Sequence, residues 1–187
     1  MVLEFLQWLA GTEPSIALRE SLYMWPFVES VHVLTLALFA GTAIMLDLRL
    51  LGLALRPVPV GVLTSRMLPW TRGGFAAMVL TGMLLFYANP AHYYQNVFFR
   101  IKVVLLAVVA INIWLFHSRV HRRVSEWNRD PVTPRAARIA AIVSLASWAS
   151  IVVAGRLIAY NWFDCDIQPQ SDFINWIAGC VIQPPAQ

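Results

Sequence analysis

The sequence predicts an all-α fold: a four-transmembrane-helix up-down bundle with an interfacial N-terminal helix and an outer C-terminal tail. Three observations predict it. The 187-residue chain is 59% hydrophobic and 13% charged, about half the charged share of a soluble domain. Four apolar runs are each long enough to cross a bilayer at about 1.5 Å of rise per residue. Polar residues inside the runs fall on stripes, as buried polar groups in a membrane bundle must. Residues 1–160 form one transmembrane domain and residues 161–187 the tail. A net charge of +4 would suit nucleic acid. The cations, however, flank the apolar runs, so the expected partner is the lipid bilayer and no nucleic acid.

Residues 1–12 place Leu3, Leu6 and Leu9 on one side, with Phe5 and Trp8 nearby, which predicts a short helix lying in the interface. The same residues lack the positive start and small-residue cleavage site of a secretory signal, so no cleaved leader is expected. Residues 14–22 follow as a second interfacial turn or two. The first span is residues 25–55. Glu29, His32, Ala43 and Asp47 share one stripe, which should face the bundle interior. Arg56, Pro57 and Pro59 end it, and Asp47 is expected to pair with Arg49. Residues 60–68 are expected as a short surface segment.

The second span is residues 70–88, with Gly73, Gly74 and Gly82 permitting close helix contact. Asn89 and Pro90 stop it, and His92, Tyr93 and Tyr94 follow in an interfacial loop. The third span, residues 98–123, opens with Arg100 and Lys102, carries Asn112 in mid-membrane, and closes with His117 and His121. Asn112 should hydrogen-bond to another helix. Thr133 and Pro134 predict an N-cap and first helical position for the fourth span, residues 135–160. Ser144, Ser147 and Ser150 suit close packing there. In the tail, Ser171 should cap a short amphipathic helix with Phe173, Ile174, Trp176 and Ile177.

Orientation follows from the cations. Ten of the fourteen lie on the side of the loops joining spans one to two and three to four; Arg19, Arg100, Lys102 and Arg156 lie on the other. The ten-cation side is expected to be cytoplasmic, with both termini outside. Cys165 and Cys180 then lie in an oxidising space if the host is bacterial, and a disulfide between them is expected.

His32 should sit roughly 13 Å inside the outer surface, and Lys102 and Arg156 only about 5 Å below it. Imidazole is an axial ligand for haem iron, and Lys and Arg are partners for propionates. Those depths suit a haem held edge-on. The structural alternative is a buried ion-pair cluster in which Glu29 neutralises a cation. Met78, Met83 and His92 are candidates for a second axial ligand. His117 and His121 stand one turn apart, so they cannot flank one iron. One of them would serve a second haem near the inner surface, or both would bind copper or zinc. The sequence has no Walker loop, no HExxH and no dinucleotide fingerprint.

The segments HVLTLALFAGTAIMLDLRLLGLAL from His32, NVFFRIKVVLLAVVAINIWLFH to His117 and GRLIAY from Gly155 carry a likeness. With the patterns F-x-x-K, N-x-x-x-x-H and G-R-x-x-A-Y, the chain resembles a family of small bacterial inner-membrane proteins of unknown function over roughly residues 25–160. More distantly, four helices with histidines at two depths are similar to membrane b-type cytochromes and to the membrane part of copper-resistance D proteins. The expected function is a b-type, di-haem electron carrier. His32 and His117 would ligate iron, and Lys102, Arg156 and Arg100 would lie on the propionate side. A homo-oligomer and a redox partner or quinone would complete it. Copper handling and a non-redox scaffold are the alternatives.

Overall fold

The computed structural model describes residues 1–120, 122, 124–128, 130 and 133–180. All regular structure among them is helical: α1 Val2–Ala10, α2 Glu13–Glu20, α3 Met24–Leu50, α4 Val60–Ala88, α5 Pro90–Gln95, α6 Val97–Leu115, α7 Val124–Trp127, α8 Arg135–Ile158 and α9 Asp172–Ala178. A π-helical turn, Phe116–Val120, extends α6. Four helices are long and apolar enough to span a membrane: α3, α4, α6 with its π turn, and α8. They alternate in direction. α3 packs along α4, α6 along α8, and α3 also against α8, whereas α4 and α6 barely approach each other. One end of the bundle carries α1, α2, α5 and α9 and is here called the tail end. The other, carrying the α3–α4 and α6–α8 connections, is the cationic end.

α3 stops earlier than Pro57 and Pro59 suggest. Gly52 adopts φ +69, Leu53 N–H bonds to the Leu48 carbonyl at 2.9 Å, and Gly52 N–H bonds to the Arg49 carbonyl at 3.1 Å. Two such bonds around a left-handed glycine close a helix and satisfy its last carbonyls. Thr133 was expected to cap α8. Its hydroxyl instead donates to the Leu50 carbonyl at the end of α3, and Pro134 holds the N-cap position of α8.

Residues 60–68 are not a separate surface segment; they are the first turns of α4, which runs on through Pro69. Proline is tolerated inside spanning helices because neighbouring groups satisfy the freed carbonyl. The start of α4 is held by Asn128, whose backbone carbonyl accepts from Val60 N–H at 3.2 Å and whose side chain accepts from Gly61 N–H at 2.7 Å. Val60 and Leu50 join Phe116, Trp127, Ala137 and Ala141 in one core cluster at the cationic end. A second cluster at mid-height holds Phe39, Ala40, Met78, Val109, Trp148 and Ile151.

At the tail end, the Ser15 hydroxyl on α2 donates to the Tyr87 and Ala88 carbonyls at 2.9 and 3.2 Å, closing the end of α4. Phe5 and Trp8 stack at 5.7 Å on the exposed side of α1, as an interfacial helix requires. Asn96 is fully buried. Its side-chain oxygen accepts from Phe99 N–H at 3.1 Å, capping α6, while its amide nitrogen donates to the Ile158 carbonyl of α8 at 3.1 Å. Ser171 caps α9 as the sequence predicts. Gly179 at φ +71 ends α9, and a disulfide joins Cys165 to Cys180 across a Cα–Cα distance of 5.3 Å.

Candidate functional site

The polar stripe of α3 converges with residues from the other three spans. His32 is half-buried, and its Nδ1 lies 3.0 Å from the Thr81 hydroxyl on α4. That hydroxyl also reaches back to the Ala77 carbonyl at 2.7 Å and the Met78 carbonyl at 3.1 Å. A hydroxyl has one proton to give, and the two carbonyls claim it. Thr81 therefore accepts from His32, which assigns the ring as the Nδ1-protonated tautomer and leaves the lone pair on Nε2. Gly82 makes room for the ring: a Cβ there would stand 3.2 Å from His32 Cε1. Lys102 on α6 acts electrostatically on His32, and its ammonium crosses Gly155 of α8, where a Cβ would stand 3.8 Å away. Among the described residues no carboxylate pairs with Lys102.

A second polar site lies nearer the cationic end. It is a cavity of about 130 Å³ walled by α3, α4, α6, the π turn and α8. Thr42, Asp47, Thr64, Thr71, Asn112, Ser144 and His117 are its polar lining. Asp47 is 7% exposed, and its Oδ2 has no hydrogen-bond partner among the described residues. The expected Asp47–Arg49 pair does not form. Residues two apart on a helix point to opposite sides, and Arg49 Nε donates instead to the Val58 carbonyl at 2.7 Å. Asn112 bridges helices as expected, its amide donating to the Ala140 carbonyl at 2.9 Å.

The sequence model of a family of unknown function, DUF6644, matches residues 19–161, about three quarters of the chain. The chain belongs to the DUF6644 family. Among curated proteins and among solved structures nothing matches it. The matched region of this DUF6644 protein contains all four spans, the His32 site and the Asp47 cavity. Helix α1, the disulfide and α9 lie outside it.

Of the residues singled out in the sequence, the structure brings His32 and Lys102 together, and it gathers Asp47, Asn112 and His117 around the second cavity; the remaining haem-site candidates lie apart. Arg156 is exposed and donates to the Tyr160 hydroxyl at 3.2 Å. Arg100 donates to the Tyr94 carbonyl at 2.8 Å and lies over the Tyr94 ring at 4.6 Å. It also abuts Gly179, so it fastens the tail to α5 and α6 rather than facing His32. His92 lies 4.0 Å from the Asp164 carboxylate, at the surface. Beside it, burial and then the Glu29 carboxylate push the Tyr93 phenol up, so it stays neutral in the ring cluster with Phe86 and Phe99. Met78 is buried in the mid-height core and Met83 is 65% exposed on the outside of α4. His117 Nδ1 donates to the Ile113 carbonyl at 3.1 Å. Its companion His121 lies outside the described residues, as do Arg123 and Arg129.

Thr81 and Ser144 are the residues that sequence reasoning missed as site components. A hydroxyl in an apolar run reads as a packing residue, and only the facing helix reveals what it holds.

Proposed function

We propose that this DUF6644 protein is a membrane b-type cytochrome that holds one haem at His32, in the half of the bundle nearer the tail end. The observation behind this is the state of His32. Its Nδ1–H is spent on Thr81, whose own proton is spent on backbone, so Nε2 keeps a lone pair suited to iron. A haem brings four nitrogens of its own and needs as little as one protein ligand. A bare zinc ion takes three or four protein ligands, and among the described residues, which leave out His121, no three His, Cys, Asp or Glu side chains gather. That difference favours haem over the metal-handling reading. Lys102, which pairs with no carboxylate among the described residues, is the propionate partner. Bound there, the iron supplies a one-electron change; the chain supplies ligation, charge and exclusion of water.

The second haem expected at His117 is not carried forward. The cationic end is proposed to face the cytoplasm of a bacterial inner membrane, with the disulfide on the oxidising side.

The test is an absorption spectrum of the purified, detergent-solubilised protein. A Soret band that shifts on reduction is the expected result. Colourless protein with stoichiometric copper would favour metal handling, and colourless metal-free protein a scaffold. A second check uses Gly82. Gly82→Val drives a methyl into the space of His32 Cε1, and haem affinity should fall roughly 10- to 100-fold, the range for disturbed ligand support. Titration of apoprotein with haem measures it. Gly73→Val, at a glycine whose Cβ would meet nothing within 4 Å, should leave the affinity unchanged.

A further inference from the structure

The cavity at the cationic end has its own chemistry, separate from His32 and independent of the haem reading. Its one carboxylate, Asp47, is 7% exposed and has an oxygen without a hydrogen-bond partner among the described residues. Among the described residues no ion pair reaches it, and Arg49 is turned to the Val58 carbonyl. A carboxyl group kept in the membrane interior with no counter-charge among the described residues is a candidate binding site.

The rest of the wall sets the ligand class. Thr42 donates its hydroxyl proton to the Phe39 carbonyl, and Thr71 donates to Thr42 or to the Met67 carbonyl. Asn112 donates its amide to the Ala140 carbonyl. With those protons spent, what the polar lining offers inward is mostly acceptor oxygen, with the carboxylate at its centre. A ligand that only donates matches such a lining, and an ammonium group is one. The other walls are apolar: Phe39, Leu46, Met67 and Trp148. Trp148 and Phe39 meet edge to face at 5.1 Å, and aromatic faces favour cations. A bare sodium ion would want five or six oxygens and leave most of the space unfilled. A volume of about 130 Å³ suits one six-membered ring or a chain of similar bulk.

We propose that this cavity binds a small organic amine in its ammonium form, with the nitrogen on Asp47 and Ser144 and the hydrocarbon against Phe39, Leu46, Met67 and Trp148. The α4–α6 side, where the two helices barely approach each other, is the entry.

The experiment uses the full chain in nanodiscs with benzylammonium chloride as probe. Benzyl alcohol is the neutral counterpart and sodium chloride the ionic control. Benzylammonium should raise the melting temperature in a saturable way, and benzyl alcohol and sodium chloride at equal concentration should not. Asp47→Asn should weaken benzylammonium binding at least roughly thirtyfold, the effect of truncating one partner of a buried charge pair. Should Asp47→Asn fail to fold, the unaltered protein still decides. Benzylammonium should protect Asp47 from modification by dicyclohexylcarbodiimide, read by mass spectrometry of the peptide, and benzyl alcohol should not. Equal effects of amine and alcohol would overturn the proposal. So would stabilisation by sodium alone, or undiminished amine binding by Asp47→Asn.

Discussion

Replacing His32 with alanine is expected to remove haem while leaving the four spans in place. The imidazole is the ligand this chain offers at that depth, and losing it should cost more than the roughly 10- to 100-fold lost when only a ligand's support is disturbed. A fall of at least about a hundredfold in affinity is expected, so that purified His32→Ala carries little of the Soret absorbance of the parent. The helices should survive. His32 is half-buried, and the Thr81 hydroxyl that it meets keeps its own bond to the Ala77 carbonyl. Far-UV circular dichroism would report that. Free imidazole added to His32→Gly should restore part of the absorbance. An unchanged ratio of haem to protein in His32→Ala would sink the ligand assignment. Loss of haem in His117→Ala alone would move the site to the other end of the bundle.

The largest loss of stability is expected from Asn96→Ala. One side chain performs two tasks there: its oxygen caps α6 through Phe99 N–H and its nitrogen satisfies the Ile158 carbonyl near the end of α8. Losing an N-cap costs about 1 kcal/mol, and leaving a buried acceptor unsatisfied costs about 1–3 kcal/mol more. The sum, roughly 2–4 kcal/mol, should lower the melting temperature in detergent by about 5–15 °C at this chain length. Asn96→Asp keeps the capping oxygen and loses only the donor, so its loss should be smaller. Equal melting temperatures for Asn96→Ala and the parent would show that neither bond matters to the fold.

The four spans were legible in the sequence because bilayer thickness imposes a length and a hydropathy that packing cannot disguise. Their ends were less so. Pro57 and Pro59 outweighed Gly52 as a stop for α3, although a glycine able to take a positive φ closes a helix by itself. The separation of residues 60–68 from the second span does not hold, because α4 runs on through Pro69; in lipid, stopping a helix exposes backbone. Thr133 carries the usual signature of a helix cap, but the Leu50 carbonyl was nearer. His32 and Lys102 stood out because charge in an apolar run is costly anywhere. Their neighbours Thr81, Gly82 and Gly155 could be known only once α4 and α8 were laid beside them. The Asp47 cavity has no counterpart in one-dimensional pattern; it exists because hydroxyls of α3, α4 and α8 and the Asn112 amide of α6, at unrelated positions, meet around one carboxylate.

Three seams of the bundle are closed by close helix packing, whereas α4 and α6 stand apart and meet at the tail end through the Phe86–Phe99 stack at 5.6 Å. Acyl chains of the surrounding lipid must therefore serve as mortar on that flank. The α3–α4 and α6–α8 pairs form two jaws joined along the α3–α8 contact, and membrane thickness and lateral pressure act directly on how far they gape. The width of the chamber around Asp47 is then a property of protein and bilayer together, and stripping the lipid changes it.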